Sequence, residues 1–196
     1  MNRRFALLAP SLLTLATSLS LTLALAAPAL AQKVRLTTSQ GEITIELDAT
    51  KAPKTVANFV QYVKAGHYSA TVFHRVIDGF MIQGGGMGSD MVEKPTRAPI
   101  ALESKNGLSN VRGSVAMART GVPDSATSQF FINLNDNLRL DAANSPDGNG
   151  YAVFGKVVEG MDVVDRIKAS AVGNKGGHQN VPLQPIVINK ASLLEK

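Results

Sequence analysis

The chain has 196 residues, enough for one domain or at most two, and 44% of them are hydrophobic, which supplies an ordinary globular core. Lysine and arginine outnumber aspartate and glutamate by 20 to 15, but they are scattered, with no basic run or stacking aromatics to form a nucleic-acid footprint. There is no cysteine, so the fold needs neither disulfides nor a reducing compartment and relies on its core for stability.

In chain order, residues 1–31 read as an export signal. Asn2-Arg3-Arg4 is a short positive start, Phe5 to Ala27 is almost continuously apolar, and Ala29-Leu30-Ala31 fits the small-x-small cleavage rule. The apolar run approaches the length that spans a bilayer, so a retained anchor is the alternative. Pro10, Pro28 and the cleavage site favour removal by general secretion. The remaining domain, residues 32–196, keeps 18 basic and 15 acidic side chains.

Lys33 to Thr38 alternates with Val34 and Leu36 on one face, and Glu42 to Asp48 with Ile43, Ile45 and Leu47; Ser39-Gln40-Gly41 joins them as a β-hairpin. Pro53 suits a first helical turn, and Val56, Phe59, Val60 and Val63 follow at helical spacing until Gly66. Val72 to Val76 and Phe80 to Gln83 read as strands about the Asp78-Gly79 turn. Because side chains alternate along a strand, Phe73, Arg75, Phe80 or Met81, and Gln83 are expected on one shared face, a guanidinium among apolar groups.

The run Gly84-Gly85-Gly86-Met87-Gly88 lacks the Gly-Lys-Ser/Thr and the following helix of a phosphate loop, and reads as a flexible loop. Met87 to Lys105 is irregular. Val111 to Ala118 and Gln129 to Leu134 are strand-like around the loop Thr120 to Ser128, and Asn135 to Gly150 is turn-rich. Ala152 to Val157 is a further strand, Gly160 to Ile167 a second short helix, and Pro185 to Lys190 a closing strand. Many short strands with two isolated helices argue for an antiparallel barrel or sandwich.

Chemistry is sparse. His67, His74 and His178 lack metal-ligand spacing, which argues against a metal site, and His74 is read as a structural histidine. No Gly-x-Ser-x-Gly elbow is present, so a hydrolase would need an unrecognised triad, and Ser128 is read as a loop-end hydrogen bonder.

Three strings carry a resemblance: Phe73-His74-Arg75-Val76-Ile77-Asp78-Gly79-Phe80-Met81-Ile82-Gln83-Gly84-Gly85-Gly86; Gly113 to Arg119 followed by Asp124 to Asn133; and Tyr151-Ala152-Val153-Phe154-Gly155-Lys156-Val157. In that order and spacing the chain resembles the cyclophilin family of peptidyl-prolyl cis-trans isomerases, and within it the periplasmic cyclophilins of Gram-negative bacteria. The resemblance spans roughly Val34 to Ile188. It implies a mainly β fold, a closed eight-stranded antiparallel β-barrel with an α-helix capping each end.

It also implies an enzyme without cofactor or metal. Rotation about an X-Pro bond meets a barrier of about 18–20 kcal/mol set by amide resonance, and needs no nucleophile. A donor that favours the twisted amide, whose nitrogen regains its lone pair, lowers it. The resemblance assigns that donor to Arg75, the proline-pocket walls to Phe80, Met81, Phe131 and Leu140, and backbone binding to Gln83. Ala118 and Gln129 fall on groove positions.

Three substrate-facing positions depart from the eukaryotic pattern: Arg119 stands for Asn, Tyr151 for His and Arg139 for Trp. Loss of the indole at Arg139 implies weak cyclosporin binding. The expected partners are proline-containing segments of unfolded or partly folded exported proteins, met in the periplasm by a monomer with neither nucleic acid nor stable membrane insertion. A chaperone-like module that holds such segments in the same groove without turnover is the alternative.

Overall fold

The computed structural model describes residues 32–194, so the export signal expected over residues 1–31 lies outside the described part of the chain. Strands β1 (Lys33–Thr38) and β2 (Gly41–Leu47) form the expected hairpin, with Val34 opposite Ile45 and Leu36 opposite Ile43. These four side chains are wholly buried, while Lys33, Arg35 and Thr37 alternate to the other face.

Helix α1 (Pro53–Lys64) begins with Pro53, whose fixed φ suits a first turn, and carries no side-chain cap at Ala52. A carboxylate from far along the chain takes that role. Glu103 accepts hydrogen bonds from the backbone N–H groups of Lys54 (3.1 Å) and Thr55 (2.8 Å) and from the Thr55 hydroxyl (2.7 Å). It thereby meets orphan donors and the positive end of the helix dipole together. Val56, Phe59, Val60 and Val63 are buried as their spacing predicts. Phe59 centres an aromatic cluster, with ring centroids 5.1 Å from Tyr68, 5.5 Å from Phe130 and 5.0 Å from Phe154.

The chain continues through β3 (Thr71–Ile77), β4 (Met81–Gly84), β5 (Ser114–Met117), β6 (Phe130–Asn133), β7 (Val153–Glu159), α2 (Met161–Lys168), β8 (Val172–Lys175), β9 (His178–Pro182) and β10 (Val187–Leu194). Eight of the strands close a barrel in the order β1-β10-β3-β4-β6-β5-β7-β2, every neighbouring pair antiparallel. Both helices bury apolar faces in the core cluster that fills it, α2 through Val163, Val164 and Ile167. The expected eight-stranded, helix-capped barrel is the fold.

Four details differ from expectation. Phe73 lies in the barrel core and not beside Arg75, because the β3–β4 register shifts between Phe73 and Arg75. That bulge inserts one residue and reverses the alternation downstream. The glycine run is no flexible loop: Gly84, Gly85 and Gly86 are buried, and a Cβ on Gly86 would collide with the side chain of Gln129. The strand expected from Val111 starts only at Ser114, after Gly113 turns through a left-handed φ of 79°. Finally, β8 and β9 pair as a separate hairpin that apolar alternation did not announce, since Val181 and Pro182 alone among its strand residues are buried.

Candidate active site

A row of paired residues crosses the outer face of the barrel. Arg75 on β3 is in register with Gln83 on β4, Gln83 with Phe131 on β6, Phe131 with Ala116 on β5, and Ala116 with Val153 on β7. Alternation places Met81 on the same face of β4 as Gln83. Met81, Ala116, Phe131 and Val153 form a buried apolar cluster separate from the barrel core, and Phe80, Ala118, Leu140 and Tyr151 pack upon it. The row therefore runs from a cation, across an amide, onto an apolar floor.

The polar end is wired in one direction. Arg75 Nη1 lies 3.4 Å from Gln83 Oε1, Gln83 Nε2 donates to Gln129 Oε1 at 2.9 Å, and Gln129 Nε2 donates to Glu93 at 3.3 Å. Each amide is thus fixed with its carbonyl toward Arg75. The bond made by the guanidinium itself is long and uses one of its five N–H groups. Gln129 can lie over the glycine run because Gly86 carries no side chain.

A model of the family described as cyclophilin type peptidyl-prolyl cis-trans isomerase matches residues 33–193. The chain is 57% identical over 162 residues to a peptidyl-prolyl cis-trans isomerase of Streptomyces antibioticus, covering 82% of this chain and 98% of that one. It is 52% identical over 159 residues to peptidyl-prolyl cis-trans isomerase B of Escherichia coli, covering 81% and 97%. The crystal structure of a Cryptosporidium parvum cyclophilin type isomerase superposes with a TM-score of 0.70 at 27% identity, over 85% of this chain and 99% of that one. The chain belongs to the cyclophilin family. It is a peptidyl-prolyl cis-trans isomerase.

In this cyclophilin the structure brings Arg75, Phe80, Met81, Gln83, Ala118, Gln129, Phe131, Leu140 and Tyr151 together on one face. Arg119 is different. Its guanidinium donates to the carbonyls of Gly150 (2.7 Å) and Thr120 (2.9 Å) and to Asp147 (2.5 Å), and it stands 4.8 Å from the Tyr151 ring centroid. With its side chain only 5% exposed, it packs on Tyr151 and spends three of its five N–H groups within the protein. Ser145, the Asn149 N–H and Arg119 together hold the Asp147 carboxyl well below the usual carboxylate range. Tyr151 in turn stands edge-on to Phe131, centroids 5.6 Å apart. Arg139, on the short 3-10 turn Leu138–Leu140, lies 4.7 Å over the Phe80 ring.

Sequence reasoning missed what lies beneath these walls. Asn137 donates to the Phe80 carbonyl and to Asn133 Oδ1, both at 2.8 Å, and Asn133 donates to Ser114 (2.9 Å) and Asn110 (3.2 Å). Asn110 donates to Asp141 at 2.9 Å. All three asparagines are buried, and they tie the Phe80 turn to the segment carrying Leu140. The available signal was Asn133 itself, two residues past Phe131 and so on the same face of an otherwise apolar strand.

Ser128 also differs from expectation. Its hydroxyl has no hydrogen-bond partner, and its carbonyl is what bonds, accepting from Tyr68 Oη at 2.9 Å. His74 is 4% exposed, and its Nδ1 has no partner. Burial, then the neighbouring His178 and Arg75, push its pKa down to about 4, so the ring is neutral at ordinary pH. Among the described residues, no group of three His, Cys, Asp or Glu side chains could hold a metal, and no helix is long and apolar enough to cross a membrane.

Proposed function

We propose that Arg75 carries the isomerisation by donating a hydrogen bond to the prolyl nitrogen of the twisted X-Pro amide, with the proline ring held on Phe131, Met81, Phe80 and Leu140. One observation supports this above others: the fixed cation stands at the end of the row Arg75-Gln83-Phe131, beside an apolar cluster outside the core. The planar amide nitrogen is a poor acceptor and the twisted one a good acceptor, so the bond strengthens as the barrier is climbed. No proton moves. Gln83, its amide oriented by Gln129, holds the substrate backbone on one side of the bond while the other side rotates. Tyr151, Ala118 and Gln129 line the groove.

The same reading makes residues 1–31 a cleavable export signal and the periplasm the place of work, where slow X-Pro steps limit the folding of other exported chains. Recovery of periplasmic protein beginning at Gln32, measured by mass spectrometry, is the expected result; an uncleaved, membrane-bound chain would refute it.

The mechanism is tested by exchange NMR on an Ala-Pro peptide. Arg75→Ala should lower kcat/KM by about 100-fold, as for loss of a transition-state donor, without lowering Tm by more than a few degrees. Turnover unchanged in the variant would refute the role of Arg75. Aggregation prevented equally well by wild type and variant, with no turnover by either, would favour a holding function.

A further inference from the structure

The β8–β9 hairpin contributes no strand to the barrel, and its exposed residues add little to the core, yet β9 packs against β3 beside Arg75. Its tip turns through Gly176 and Gly177, both with left-handed φ, and Asn180 adopts φ of 58°. A non-glycine residue rarely sits there, asparagine most readily. The outcome of this local geometry is a wall. Residues 177–180 line a cavity of about 370 Å³, which also touches Arg75, Gln83 and Gln129 and is completed by His74 and Met87.

Arg75 and Gln83 therefore border two spaces of opposite character. One is the apolar floor over Phe131. The other is lined by a guanidinium, two imidazoles and four carboxamides, with no carboxylate among the lining residues. The carbonyl oxygens of Gln83 and Gln129 are engaged by this chain of bonds, and each amide nitrogen spends one N–H on it, that of Gln129 on Glu93 just outside the lining, so the donors left to the cavity are the second N–H of each amide and the rest of the Arg75 guanidinium. The buried ring of His74, whose Nδ1 has no partner, lines the same space. Such a lining favours an anionic acceptor.

We propose that this cavity is a second substrate subsite, taking an acidic side chain on a residue close to the X-Pro pair. The inference rests on the proposed function of Arg75 above. His178, Gln179 and Asn180 contact the carboxylate, and the charge of Arg75 adds to its attraction. A polypeptide spanning both spaces would place its proline on Phe131 and the acidic residue under the hairpin tip, giving this enzyme a charge preference that the proline pocket cannot supply.

The test is a peptide series with one Ala-Pro pair and Glu, Gln or Lys at each of the two positions before and after it, turned over by the protein and followed by exchange NMR. At one position Glu should exceed Lys in kcat/KM by about five- to tenfold, with Gln between them. His178→Glu should abolish or invert that ratio; Gln179→Glu, at an exposed position, repeats the test if the first variant does not fold. Arg166→Gln, on the exposed face of α2, lowers overall charge by the same single unit and should leave the ratio intact. Equal kcat/KM for Glu and Lys at all four positions overturns the subsite, as does a preference unaltered by both hairpin variants. An uncharged Ala-Pro peptide reads the isomerase alone: if it is not accelerated, the proposed function falls and the subsite with it.

Discussion

The two faces of β4 and β6 are both well buried, yet they ask different things of a side chain. Inward, Ile82, Phe130 and Ile132 are wholly buried among other apolar groups, and the area removed from water decides what they contribute. Outward, Met81, Gln83, Phe131 and Asn133 stand in one row, mixing an amide, a thioether, a ring and a bonded asparagine. Burial alone does not distinguish core from site. What distinguishes the site is an apolar cluster on the wrong side of the strands, with a cation at its edge and asparagines bonded beneath it.

The largest effect that would sharpen the contrast is on the inner face. Phe59→Ala removes the ring at the centre of the aromatic cluster and should cost about 3–5 kcal/mol in urea unfolding. Turnover per folded molecule should be little changed, the reverse of Arg75→Ala. A variant that kept its stability would place the core elsewhere.

Next comes a pH effect located at His74, behind the outer face. The unfolded imidazole titrates near 6.5 and the folded one near about 4, so the unfolded state takes up the proton first. Stability is full above about pH 6.5 and falls as pH drops toward 4, by on the order of 3 kcal/mol. Burial lowers the His67 pKa too and adds in the same direction. Urea unfolding at pH 7.5 and 4.5 should show His74→Gln losing much less between the two than wild type; equal losses would count against the assignment.

Smaller still is the cap on α1. Glu103→Ala should destabilise by about 1 kcal/mol with turnover unaltered. The smallest expected change in stability is at Arg139, whose stacking on Phe80 is worth under about 1 kcal/mol. Arg139→Trp should nonetheless tighten cyclosporin A binding more than tenfold by calorimetry, because it restores an indole face and N–H at the groove rim.

The barrel was legible wherever one side of a strand faces the core, because alternation then has a single meaning, as in β1, β2 and α1. It failed at β3, where one inserted residue moved Phe73 inward while leaving Arg75 outward. It failed again at β8 and β9, whose residues bury too little to show a pattern. The site positions came through short strings resembling a family, whereas the asparagines under Phe80 and the engagement of Arg119 by Asp147 join residues far apart in sequence. Nothing local marks such pairs.

The closed order of the strands has a consequence for the company this protein keeps. Unfolded chains carry rows of unpaired N–H and C=O groups that attach to any open sheet margin and seed aggregates. The eight-stranded barrel has no margin to offer, since β1 and β10 seal it against each other along six paired positions. A proline-containing substrate therefore finds no free barrel strand to extend as a ninth, and open strand edges are left to the short β8–β9 hairpin.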